Sequence, residues 1–174
     1  MRKISLFIAA SLDGYIATDS GNIDWLYADQ DYGYSEFFAA VDTVIMGRKT
    51  YRHSLELAED PYAGRQCIVL TQQSGTPPDA NTRFISGAEV AETVEDLRRS
   101  PGNTIWLVGG AAVIQLFVQN DWLDELILSI HPVLLGEGIP LFPPTEIPLR
   151  WFTLQKTQPF DTGLIQLTYK RIRA

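Results

Sequence analysis

The chain has 174 residues, 45% of them hydrophobic and 20% charged, an ordinary balance for one globular domain able to bury a core. Its net charge of −7 excludes a general affinity for nucleic acid or anionic membrane, because no basic stripe offsets it. No apolar run is long enough to span a bilayer, and the lone Cys67 permits no disulfide within the chain, which fits a cytoplasmic setting.

Met1-Arg2-Lys3 followed by Ile4 to Ala10 has the outline of a signal peptide, but Ser5 and Asp13-Gly14 cut the apolar stretch short, so 3–10 reads as a first strand. Asp13-Gly14 is either a turn after that strand or part of a mobile loop. A helix is expected over 34–40, a strand over 41–46, and a helix over 48–57 opening on Arg48, Lys49 and Thr50. Strands follow over 66–71, where Cys67 reads as a buried structural thiol, and over 82–85. Ser86-Gly87-Ala88-Glu89 has the spacing of a capping box. The helix it predicts over 87–99 places Val90, Val94 and Leu97 on one face, with Glu92, Glu95, Arg98 and Arg99 toward water. A strand over 104–108 then runs into Gly109-Gly110 and a helix over 110–120.

From Asp124 onward the pattern changes to long strands over 124–132, 151–158 and 164–172. Pro143 to Pro148 is a rigid surface connection, and Phe160 to Gly163 a turn joining the last two strands. Strands alternating with helices through residue 123 imply right-handed crossovers and a mostly parallel sheet. The tail implies an antiparallel hairpin at one end of it, all within a single domain over 1–174.

Two strand ends carry the functional signal: Val41 to Gly47 running into Arg48-Lys49-Thr50, and Thr104 to Val108 running into Gly109-Gly110-Ala111. Glycine lets backbone N–H groups approach a ligand closely, and a helix N-terminus adds partial positive charge. Arg48 and Lys49 are unfavourable at a helix start unless an anion lies near them. Together the two junctions read as a clamp around a dinucleotide pyrophosphate.

Further landmarks are Ala10-Ser11-Leu12-Asp13-Gly14-Tyr15-Ile16-Ala17, Asp24-Trp25, Met46 to Tyr51, Val108 to Ala111, and Asp124-Glu125-Leu126 through His131 to Phe142. In this order they resemble the dihydrofolate reductase-like superfamily. The chain is most similar to the branch containing the reductase domain of bacterial riboflavin biosynthesis and its small stand-alone relatives. The resemblance implies a three-layer α/β/α fold, NADPH as cofactor, and hydride transfer to a small heterocycle or imine-like bond. By position, Gly47, Arg48, Lys49 and Thr50 meet the cofactor phosphates, with Val108, Gly109, Gly110 and Ala111 on the other side of the pyrophosphate. Ala9 and Ala10 lie beside the nicotinamide, and Leu70 and Thr71 at the adenosine end. The loop after Thr71 offers Gln72, Gln73 and Ser74 but no arginine for a 2′-phosphate. A homodimer is implied by analogy, with Leu135-Gly136-Glu137-Gly138 near its contact or at the substrate mouth.

Reduction of a C=N bond needs a proton as well as a hydride. Relatives supply it from a carboxylate on the helix before the Met-Gly landmark. Asp31, 16 positions before Gly47, and Glu36 compete for that place, with the Tyr32 and Tyr34 hydroxyls as alternatives. Trp25 is either an edge of the active cleft or a loop anchor. His53 reads as exposed or partly buried, and His131 as packed or hydrogen-bonded. No grouping has metal-ligand spacing, so no metal is expected. Val108 stands where the riboflavin reductases carry a carboxylate, and Ile23 where they carry a polar residue. Both departures count against a phosphoribosyl-aminopyrimidine. No clear arginine marks a site for the folate glutamate. An apolar, aromatic pocket lined by Trp25, Tyr27, Tyr34 and Phe38 is expected instead, or else a catalytically silent nucleotide binder.

Overall fold

Alternation along the inner strands decides which helices cover which side of the sheet. The computed structural model describes residues 1–73, 75, 79–146 and 149–173. In chain order the elements are β1 (Ile4–Ser11), β2 (Tyr15–Ala17), α1 (Tyr34–Ala39), β3 (Val41–Gly47), α2 (Arg48–Leu57), β4 (Gln66–Leu70) and β5 (Thr82–Ile85). They continue with α3 (Glu89–Arg99), β6 (Thr104–Gly109), α4 (Ala111–Gln119), β7 (Glu125–His131), β8 (Ile139–Pro140), β9 (Trp151–Pro159) and β10 (Ile165–Ile172). One sheet has the order β5-β4-β3-β6-β1-β7-β10-β9, and β2 pairs with β8 in a separate ribbon. From β5 to β7 every pairing is parallel. Strand β10 then runs antiparallel to both β7 and β9, forming the expected C-terminal hairpin at one end.

Successive strand residues point to opposite faces. Ile4, Leu6, Ile45, Ile68, Ile105 and Leu107 pack with Val90, Val94 and Leu97 of α3 and with Val113, Ile114 and Phe117 of α4. Their neighbours Val44, Met46, Cys67, Val69 and Trp106 pack on the other side with Tyr51 of α2 and with Phe37 and Phe38 of α1. The sheet is therefore the middle of three layers. Cys67 is buried in the second core, and burial pushes its thiol up to about 11, which makes it inert at neutral pH.

Several expectations change. Arg98 does not face water: it is buried, with its guanidinium 3.1 Å from the Asp124 carboxylate and donating to the Trp122 carbonyl. Only half of the capping box forms, with the Ser86 N–H donating to Glu89 Oε2 at 3.3 Å. The helix consequently starts at Glu89, with no side-chain cap. Strands β4 and β5 are parallel neighbours with no helix between them among the described residues. Of the proline-rich connection, Ile147 and Pro148 lie outside the described residues. The ribbon of β2 and β8, three and two residues long, is too short to leave an alternation signal.

Asp124 also accepts the Ile4 N–H at 2.9 Å, so the Arg98 pair ties α3, the start of β1 and the entry to β7 together. Removing Arg98 leaves Asp124 the Ile4 N–H and Arg173 but deprives the Trp122 carbonyl of its donor. Arg98→Ala is expected to cost about 2 kcal/mol of unfolding free energy, the worth of a charge-assisted hydrogen bond, read from the midpoint of urea denaturation at unchanged slope.

Candidate active site

Strand β6 lies between β3 and β1, and the helices that follow β3 and β6 leave in opposite directions. Helix α2 packs on one face of the sheet and leads to β4; α4 packs on the other and leads to β7. Such a divergence opens a crevice at the C-terminal ends of the two strands, the general place for ligands in open α/β sheets.

Gly47 and Gly109 end these strands, and Met46 pairs with Gly109 in register. The Gly110 N–H donates to Thr50 Oγ1 at 2.9 Å, joining the start of α4 to the first turn of α2. A Cβ on Gly110 would lie 3.2 Å from that hydroxyl, and one on Gly47 3.2 Å from Val113 Cγ2. Gly109, at φ +120°, holds a backbone conformation that favours glycine. Neither α2 nor α4 has a side-chain cap or an acidic residue in its first turn. Helices α1 and α3 both carry acids there, Glu36 in the first and Glu89 and Glu92 in the second. Two positive helix ends with no anion of their own thus face one gap.

Arg48 stacks 4.5 Å over the Phe84 ring. Its Nε and Nη1 are buried with no hydrogen-bond partner among the described residues, a costly state for a cation. Lys49 beside it is exposed. Beyond Gly47, whose register partner is Leu70, a groove of about 360 Å³ is lined by Leu70, Thr71, Gln72, Ile85, Ser86 and Trp122 among others. Ser74 of the following loop lies outside the described residues.

At the end of β1 the two alanines separate. Ala10 is buried in the α3/α4 core, whereas Ala9, by alternation, belongs to the opposite face and is half-buried. Val108 packs on that same face, against the aromatic core of α1 and α2.

The four aromatics expected to line one pocket fall into two groups. Tyr34 and Phe38 stack on each other at 5.4 Å and meet Trp106 edge-on. Trp25 and Tyr27 instead flank His131, with ring centroids 5.3 and 5.1 Å from it. Arg65, which the sequence reading did not single out, lays its guanidinium 3.9 Å over the Phe38 ring and donates to the Phe38 carbonyl. Its sole sequence signal was a cation immediately before a buried strand.

Asp31 has other work. Its carboxylate accepts the Ser35 N–H at 3.0 Å and the Ser35 hydroxyl at 2.6 Å, fixing the start of α1. The Ser35 hydroxyl holds its carboxyl below the ordinary value, the opposite of what a proton donor at neutral pH requires. Glu36 is exposed on α1. Asp13, for which the sequence leaves a turn and a mobile loop both open, accepts from the Ser11 hydroxyl at 2.6 Å and from the Leu135 and Gly136 N–H groups at 3.1 and 2.7 Å. It therefore clips the turn after β1 to the turn after β7.

Residues 2–166 match the family model described as the RibD C-terminal domain. The uncharacterized protein YwjB of Bacillus subtilis (strain 168) is 42% identical over 176 aligned positions, covering 98% of both chains. A crystal structure of a protein provisionally assigned to riboflavin biosynthesis, from Shewanella sp. PV-4, superposes with a TM-score of 0.86 at 31% identity, covering 98% of this chain and 99% of that one. The diaminohydroxyphosphoribosylaminopyrimidine deaminase/5-amino-6-(5-phosphoribosylamino)uracil reductase of Thermotoga maritima shares the fold. Its TM-score is 0.73 at 16% identity, covering 98% of this chain and 57% of that longer one.

Thr50→Val keeps the shape of the side chain and removes the acceptor, leaving the Gly110 N–H unpaired. The expected loss is about 1 kcal/mol of stability, with Thr50→Ser retaining most of it, both measured by thermal and urea unfolding.

Proposed function

The chain belongs to the RibD C-terminal domain family, and on that footing we propose that it is an NADPH-dependent reductase that transfers hydride to a small heterocyclic or imine-like substrate. The observation that carries the reading is the Thr50–Gly110 hydrogen bond, which sets two uncapped helix starts against one crevice. The residues present fit a dinucleotide. The free N–H groups of α2 and α4 would hold the pyrophosphate from two sides, and Gly47 and Gly110 let the two helix starts approach closely. Thr50 Oγ1 accepts from Gly110, which leaves its own proton free to donate. Arg48, with buried nitrogens unpaired among the described residues, would meet the 2′-phosphate, aided by Lys49. Leu70 and Thr71 open onto the groove that suits the adenosine end.

Bound NADPH would supply the hydride. The remaining tasks fall to the chain: Ala9 offers a small side chain at the end of β1, and the apolar Val108 favours a flat, uncharged substrate over a phosphosugar. The proton would come from Glu36 or from water, since Asp31 is committed to α1 as an ionised acceptor. That commitment also favours a second reading, a catalytically silent NADP(H)-binding protein of the same fold.

Titration with NADPH should quench the fluorescence of the four tryptophans saturably, and NADH should do so more weakly. Arg48→Ala is expected to weaken NADPH by about 1.5–3 kcal/mol, the worth of a charge-assisted hydrogen bond, and to leave NADH nearly unchanged. Absence of binding to either nucleotide would end both readings. Binding without substrate-dependent loss of nicotinamide absorbance across dihydrofolate, pterins, flavins and cyclic imines would favour the silent binder. The proposal includes a homodimer that covers the exposed cross-strand pair Trp151 and Ile172 on the outer hairpin. Light scattering should give twice the chain mass, and Trp151→Glu should shift it toward the monomer.

A further inference from the structure

Ser11, the last residue of β1, pairs in register with His131, the last of β7. His131 is 3% exposed. The Tyr27 backbone N–H donates to its Nε2 at 3.1 Å. A backbone amide can only donate, so Nε2 carries no proton and the ring hydrogen sits on Nδ1, 3.4 Å from the Ser129 carbonyl. Trp25 meets the imidazole edge-on and Tyr27 lies tilted against it.

The geometry points to His131 as a protonation-sensitive latch on the segment between β2 and α1, holding Trp25 and Tyr27 at the end of β7 when neutral and releasing them when charged. A proton on Nε2 would set N–H against N–H and remove the bond. The segment's other anchors lie farther along it: the Tyr32 hydroxyl on Asp29 and Thr162, and the Tyr32 carbonyl on Gln166. The latched position also leaves Trp25 Nε1 buried without a partner among the described residues, so the closed state is shallow and one proton suffices to tip it.

Of the charged groups on the neighbouring elements, the aspartates are otherwise engaged. Asp13, past β1, is held by Ser11, Leu135 and Gly136. On the latched segment Asp24 is held by Asn22 and Asp29 by Tyr32. Strand β10 presents Ile165 and the neutral Gln166, and Glu137 on the turn after β7 is exposed. Burial, partly opposed by the Ser129 carbonyl, holds the His131 pKa below its ordinary 6.5. The latched form therefore binds fewer protons than the released one. Its stability is complete above that ordinary value and drains away as pH falls from there through the lowered one.

The test is residue-resolved amide exchange at Tyr27, expressed as protection over the unstructured rate, in the protein without nucleotide. Between about pH 7.5 and about pH 5, protection at Tyr27 should fall by about tenfold or more, while Leu6 and Ile45 in the sheet stay protected. His131→Gln, whose carbonyl accepts without titrating, should keep Tyr27 protected at both values, and His131→Leu should leave it exposed at both. A wild-type protection that does not change with pH, or a glutamine variant that titrates like the wild type, overturns the latch. The wild-type and glutamine series decide the matter even if the leucine variant fails to fold. Since no cofactor enters the measurement, its outcome is independent of the reductase reading.

Discussion

A single hydrogen bond, from the Gly110 amide to the Thr50 hydroxyl, holds together two helices that leave the sheet on opposite faces. The other close contact between the two starts is Gly47 against Val113. With the hydrogen bond in place, the free N–H groups of both helices converge on the same gap and bring partial positive charge to it, although the chain carries a net charge of −7. Small residues make the approach possible, because a Cβ on Gly47 or Gly110 would crowd Val113 or Thr50. A tight contact between helix starts that are left uncapped conflicts with stability alone and is understandable as preparation for an anion.

Elsewhere the charges are largely occupied with one another. Arg2 is paired with Asp42 at the N-terminal ends of the strands. Asp121 and Asp124 gather Arg98, Arg150, Arg171 and Arg173 around the entry to β7 and the exit of β10. Arg48 lies over the Phe84 ring, and its Nε and Nη1 have no hydrogen-bond partner among the described residues. On the same face of the sheet, the region near Val108 toward α1 is aromatic and mostly apolar, bordered by the Arg65 guanidinium. One end of this face thus holds a buried cation and the other a cluster of aromatic rings.

Much of the fold was legible because its long elements obey their periods. The strands and helices of four residues or more lie within two residues of where alternation and amphipathicity put them. The glycine-bearing strand ends, the C-terminal hairpin and the buried thiol were legible for the same local reasons. Arg98 was not. Its helical position lies at the border of the apolar stripe, and its partner Asp124 comes 26 residues later, beyond the reach of any periodic pattern. Asp31 is ambiguous in a related way, since a carboxylate before a helix can serve as cap or as acid. Its bond to Ser35 appears only once the chain is folded.

The amino-acid order by itself determined which segments are strands, which are helices and where the chain must bend through glycine, since these follow from neighbours a few positions apart. It also carried the family. The tertiary structure decided that β6 inserts between β3 and β1, which brings Thr50 to Gly110 across 60 residues of chain. It likewise parted Trp25 and Tyr27 from Tyr34 and Phe38 and seated the first pair on His131. Those outcomes depend on strand order and on which side of the sheet each helix takes, and such long-range choices are settled by the packing of the whole core.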